Sequence, residues 1–282
     1  MPEFPFQLVS LNTLTPALAS ETVVQPDSTA AGGDALSHTL VAELRAQSLA
    51  HRAVRHPYLR ALSRGDLPDP RGALCDFARH YHGYSSHFPR YLTALISRLE
   101  DDGDRRALLA NLLEESGSYA PAELLALQAA GIEPEWVVDV PHPELFRRFR
   151  RALGVSDDDP AEEQAEVIAW RELLLSVLVL GSAAEAVGAL GLGTEAIVPA
   201  IYPAFVAALR RLGEVAPRDG VFFSLHTLVD DHHQASLHAL ARKLAASPRG
   251  RHDLTLGMTK ALTLRDAFWS WLHQRALAMD PV

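Results

Sequence analysis

The chain is 282 residues long, 48% hydrophobic and 22% charged, a balance that suits a globular protein able to bury one sizeable core. Its formal net charge is −9 and "FRRFRRALG" is its one dense basic cluster, so a nucleic-acid partner is not expected. The single cysteine, Cys75, excludes an internal disulfide and every CxxC zinc site, which makes a reducing, cytoplasmic setting the expectation.

In chain order, residues 1–35 mix Pro, Thr, Ser and Gly and read as an extended or disordered arm, without the positive n-region of a signal peptide. From 36 to 282 apolar residues recur at three- and four-residue spacing, which predicts helices over 37–55, 70–99, 102–117, 121–131, 142–153, 160–190, 193–213, 218–246 and 253–278. Breaks fall at "HPYLRALSRGDLPDPRG", "EPEWVVDVPHP", "GVSDDDP" and "EVAPRDG", where Pro, Gly and Asp cluster. Pro89 and Pro203 lie inside helical patterns and should kink or restart them. The longest apolar run, "LLLSVLVLGSAAEAVGALGLG", carries a Glu and several small residues and reads as a buried core helix, not a membrane span. No β-branched alternation is present, so the fold class is all-α.

"FFSLHTLVDDHHQASLHAL" (222–240) then poses a chemical problem. On a helix His226, Asp230 and His233 project from one stripe, and Leu237 and Leu240 continue it. Polar side chains set into a core-facing stripe need partners. "LLANLLEESGSY" offers Glu114 and Glu115, of which Glu115 shares a face with Asn111. Glu195 stands alone in the apolar "GALGLGTEAIVPAIYPAF", and His142 opens the helix in "VVDVPHPELFRRF". Together these form a set of carboxylates and imidazoles that suits iron or manganese, in the manner of the dimetal sites that helix bundles build from inward-facing residues.

The markers "NLLEESG", "HPELFRRFRRALG", "TEAIVPAIYPAF" and "FFSLHTLVDDHHQASL", in that order, resemble the haem-oxygenase-like diiron oxidases and oxygenases, relatives of thiaminase II and pyrroloquinoline-quinone synthase. The resemblance covers about residues 37–278 and implies a haem-oxygenase-like helical bundle. It also implies metal ligands Glu115, His142, Glu195, His226, Asp230 and His233, with Glu195 bridging two Fe(II) ions. Glu114 in place of Glu115 stays open as the first ligand. Relative to the family, the stretch at about 118–141 is an insertion, a candidate lid or pocket element. The implied activity is oxidation of a small organic substrate with O2 as co-substrate, with an external reductant as a further electron source.

Candidate substrate contacts are His80, Tyr81 and Tyr84 in "FARHYHGYSSHF", and Arg171 in "EVIAWRELLLSVLVL". The aromatic row Phe77, Tyr81, Tyr84 and Phe88 reads first as core and second as a substrate wall. Arg171 reads first as the partner of Glu172 or Glu166 and second as a carboxylate anchor. "RRFRR" at 147–151 reads as the solvated face of its helix. The His- and Tyr-rich helix favours N-oxygenation of an amine or amino acid, in natural-product biosynthesis by the resemblance. Oxidative C–C cleavage or decarboxylation of an amino or fatty acid is the diiron alternative. Others are a mononuclear zinc hydrolase on His226, Asp230 and His233, a metal-free thiaminase-like relative with only Cys75 as nucleophile, and a non-catalytic helical binding protein. Expected partners are a small-molecule substrate and a second copy of the chain in a homodimer, with no membrane.

Overall fold

Capping chemistry sets most of the helix boundaries in this chain. The structure, a computed structural model, describes residues 28–158, 164–228 and 230–281, with side chains from residue 35 onward except at 228–233. Helix α1 (Ser28–Ala50) begins inside the stretch expected as an arm. The segment "HPYLRALSRGDLPDPRG", expected as a break, holds a short helix α2 (Pro57–Arg64). His56 Nδ1 accepts the Tyr58 N–H, Pro57 supplies the first turn, and Gly65 at φ 75° closes the end. The same Pro and Gly that mark a break are here a start and a stop.

Helix α3 (Pro70–Ser85) is capped by Asp69, which accepts the Gly72 N–H at 2.7 Å. The chain restarts at Pro89 as α4 (Phe88–Ile96), so the helix expected over 70–99 is two. Asp101 caps α5 (Asp102–Glu115) through the Asp104 N–H at 2.9 Å. The stretch 118–141, expected as an insertion, folds as α6 (Pro121–Ala129) and a 3₁₀ turn at Pro134–Trp136, and α7 (His142–Ala152) follows. Helix α8 (Ala165–Leu180) stops at Gly181. Ser182 then caps α9 (Ala183–Val187) through the Glu185 N–H at 3.1 Å, dividing the helix expected over 160–190. A π-helical turn (Gly188–Leu192) and a 3₁₀ turn (Glu195–Ile197) lead into α10 (Val198–Leu212), which carries Pro203 inside it. Two helices, α11 (Val221–Leu228) and α12 (Asp230–Leu244), stand where one was expected over 218–246. The longest, α13 (Pro248–Leu277), completes the bundle. Among the described residues there is no strand.

Helix α13 packs against α8, α9 and the π turn. Glycine makes that approach possible: a Cβ on Gly188 would lie 2.1 Å from the Leu254 carbonyl oxygen, and one on Gly257 would lie 1.9 Å from that of Glu185. The helical run Ala183–Leu212 is long and apolar enough to cross a membrane, yet 67% of its most apolar window is buried inside the protein, as a core segment requires. Around it lies an aromatic core in which Phe77 stacks on Phe205 at 4.2 Å and Tyr84 on Trp170 at 3.7 Å. The basic cluster at 147–151 departs from its expected solvated face in one residue. Arg147 and Arg151 pair with Glu144 at the surface, but Arg150 is fully buried, donating to His82 Nδ1 at 2.9 Å and to the Ser156 carbonyl.

Candidate metal centre

Glu115 is the last residue of α5 and His142 the first of α7, with the whole insertion between them. The two ends of that insertion are pinned together: the Asp139 N–H donates to the Gly117 carbonyl at 2.9 Å. Gly117 has φ 87°, and a Cβ there would sit 2.5 Å from the Val140 nitrogen, so this closure needs glycine. It brings His142 Nδ1 to 3.1 Å from Glu115 Oε2, with both side chains buried.

His226 arrives from α11. Its Nδ1 lies 2.7 Å from the Phe222 carbonyl, which fixes Nδ1 as the protonated nitrogen and makes Nε2, 4.0 Å from Glu115 Oε1, the nitrogen with a lone pair for a metal. His142 is held the other way round. Its Nε2 lies 2.9 Å from the Tyr119 hydroxyl, and its buried Nδ1 has no hydrogen bond. The two imidazole rings meet edge to face at 4.7 Å. One ligand atom from each of Glu115, His142 and His226 falls within 4.8 Å of the others. Each imidazole thus has one nitrogen braced by the protein and the other turned to a carboxylate, the arrangement metal-ligating histidines adopt. A divalent cation among them would take up the lone pair of His142 Nδ1, which faces Glu115 at 3.1 Å without a hydrogen bond, and the mixed oxygen and nitrogen donors suit iron. Burial and the nearby Glu115 and Glu114 carboxylates push the Tyr119 phenol well above its ordinary pKa, so it stays a neutral hydrogen-bonding group.

These three residues line a cavity of about 30 Å³, space for ions and a water-sized ligand. Glu195 lines it too, 5% exposed, just after the π turn and held in place by Thr194 Oγ1, which donates to the Ala189 carbonyl at 3.0 Å. Such π turns often mark functional positions. Glu115, not its neighbour Glu114, is the carboxylate of the cluster. Asp230 and His233 lie in α12, but their side chains fall outside what the structure describes.

Of the expected substrate contacts, Tyr81 and Tyr84 line the cavity, whereas His80 and Arg171 do not. His80 precedes Tyr81 by one residue and so points about 100° round the helix. There its Nδ1 lies 2.8 Å from the Asp76 carbonyl, and its ring packs on Trp271. Asp76 in turn holds Arg275 with two hydrogen bonds of 2.9 and 2.8 Å. Burial opposes its charge, but Arg275 and His80 outweigh that and hold the carboxyl at about 2. Arg171 donates to Glu172 at 2.8 Å, the first of its two readings. Residues at or beside the cavity that had no role assigned from sequence include Tyr119, Ser85, Tyr202 and Arg265. Arg265 sits beside Asp266 in "ALTLRDAFWSWL", so nothing in its local sequence marks a lone buried charge.

Residues 75–266 match the family of iron-containing redox enzymes. A 4-aminobenzoate synthase of Chlamydia muridarum is 26% identical over 212 residues, covering 74% of this chain and 79% of that protein. A CADD-like protein of unknown function from Nostoc punctiforme superposes with a TM-score of 0.67 at 18% identity, over 86% of this chain and all of its own. A domain with a haem-oxygenase-like fold from Shewanella denitrificans superposes with a TM-score of 0.60 at 14% identity, over 90% of this chain and 94% of its own. These two likenesses show the fold, a haem-oxygenase-like helical bundle. With the match running through the Glu–His–His cluster, the chain belongs to the family of iron-containing redox enzymes and is an oxidoreductase.

Proposed function

We propose that the chain is an O2-dependent non-haem diiron oxygenase that N-oxygenates a small amine or amino acid. The observation that carries this reading is the convergence of Glu115, His142 and His226 within 4.8 Å, at a buried cavity whose wall also bears Glu195. Glu115, His142 and His226 would hold one ion. Glu195 would bridge to a second, and Asp230 and His233 are the remaining ligands that the resemblance implies. The iron pair, when bound, supplies electrons and electrophilic activation for O2.

The chain's own residues do the rest. Tyr119 and the Phe222 carbonyl fix the orientation of the two imidazoles. Tyr81, Tyr84, Tyr202 and Phe222 wall the cavity with rings, excluding bulk water from the reacting atoms. Support for amine chemistry comes from the relatives named 4-aminobenzoate synthase, since that compound is an aromatic amine. The family match weighs against the zinc-hydrolase alternative.

The test is O2 uptake by the chain loaded anaerobically with Fe(II), across a panel of amines and amino acids, with products read by mass spectrometry under isotopically labelled O2. Substrate-dependent uptake with label on nitrogen is expected. Label absent from nitrogen, with carbon–carbon cleavage products instead, would move the assignment to oxidative cleavage. Iron binding without uptake on any substrate would contradict the oxygenase.

A further inference from the structure

Arg265 stands in the cavity wall, 1% exposed, and among the described residues no carboxylate pairs with it. Its Nη2 donates to the Tyr84 hydroxyl at 3.1 Å and its Nη1 to that of Tyr81 at 3.5 Å. Its Cζ lies 5.4, 5.2 and 5.9 Å from the ring centres of Tyr84, Trp170 and Trp269. Aromatic faces hold a cation without neutralising it. Burial works against the charge, but the Tyr84, Tyr81 and Tyr202 phenols outweigh it, so the guanidinium pKa lies above its ordinary value. In the same lining the buried Ser85 Oγ makes no hydrogen bond within the protein. A buried cation without an anion is costly, and so is an unmade hydroxyl bond.

A guanidinium fork and a spare hydroxyl facing one small cavity are complementary to a carboxylate, whose two oxygens accept from both. We propose that Arg265 and Ser85 form the carboxylate-binding end of the cavity, so that the substrate is a small amino acid whose amine faces Glu115, His142 and His226. The inference rests on the cavity being the reaction chamber and narrows the amine class proposed for it. The cavity volume of about 30 Å³ fits a carboxylate group. The remainder of the ligand would lie on the side of Phe88, a lining ring that is only partly buried.

The test is isothermal titration of the full chain with benzoate and its neutral isostere benzamide, both after metal removal and after Fe(II) loading under argon. Benzoate should bind the metal-stripped chain at least about tenfold more tightly than benzamide, and Arg265→Gln should abolish that preference. Ser85→Ala should weaken benzoate several-fold and leave benzamide unchanged. It stands in if Arg265→Gln does not fold. Equal binding of the two probes to the metal-stripped chain overturns the proposal. So does a preference that survives in folded Arg265→Gln, or an unchanged benzoate affinity in Ser85→Ala. Benzoate that binds only the iron-loaded chain, and equally well in Arg265→Gln, sits on the metal and overturns it as well. Because the decisive binding needs no iron, failure here leaves the diiron reading standing. Failure to bind iron likewise leaves this subsite standing.

Discussion

His142 Nε2 lies 2.9 Å from the hydroxyl of Tyr119, a residue of the insertion that separates His142 from Glu115. The insertion therefore supplies a brace for one of the histidines it sets apart. For Nδ1 to ligate a metal, Nε2 must carry the proton and donate it to the Tyr119 oxygen. Tyr119→Phe removes that acceptor while keeping the ring. Loss of such a brace lowers metal affinity by about 10- to 100-fold. Competition with a coloured Fe(II) chelator measures it, and unchanged affinity would show that the brace plays no part in metal binding.

Glu115→Gln keeps the shape of the side chain but removes the charge that faces both imidazoles. That variant and His226→Ala should each fold and lose retained iron. Glu195→Ala should hold about half the iron of the parent chain, because it removes the proposed bridge alone. Metal content after desalting, read beside the circular dichroism spectrum, checks all three.

His56 is fully buried. Its Nδ1 caps α2 and its Nε2 is 3.0 Å from Ser270 Oγ. Burial, with Arg52 nearby, lowers its pKa from 6.5 to about 4. As pH falls, the unfolded chain takes up this proton before the folded one does. The contribution to stability is therefore complete above pH 6.5 and is lost between there and about pH 4, by about 3 kcal/mol at most. Urea unfolding across that range should show stability falling with acid, and His56→Gln should flatten the slope. A parent slope no steeper than that of the variant would contradict the assignment.

Gly257→Ala should destabilise the fold, because the new methyl would meet the Glu185 carbonyl at 1.9 Å where α13 crosses α9. Overpacking of this kind costs about 1–3 kcal/mol. The same crossing supports the π turn that leads to Glu195, so iron content should fall together with the melting temperature. A melting curve and a metal assay on one preparation check both.

The long helices α5 and α13 were legible in the sequence because good helix formers such as Ala, Leu and Arg run through their interiors without a Pro. The short α2 was not, since Pro57 and Gly65 signal a break and a helix end equally well. The restart at Pro89 was foreseen, but a separate α4 needs the packing around Tyr91 and Leu92 to be known. In the site, Glu115, Glu195 and His226 stood out as polar residues in apolar surroundings. His142 was a candidate that read equally well as a surface cap, because the intervening stretch hides its proximity to Glu115 and the Gly117–Asp139 closure is a tertiary fact. Arg171 and Arg265 are each followed by an acidic residue in an otherwise largely apolar stretch. One faces Glu172 at the surface and the other faces the cavity, and no local pattern separates them.

Mössbauer spectroscopy of the chain loaded anaerobically with enriched Fe(II), and then exposed to O2, tests the central claim most directly. A spin-coupled diferric pair, with its non-magnetic ground state, is the expected result. Isolated high-spin ferric ions, or iron that washes out without ever forming a coupled pair, would contradict a dinuclear centre built on Glu115, His142, Glu195 and His226.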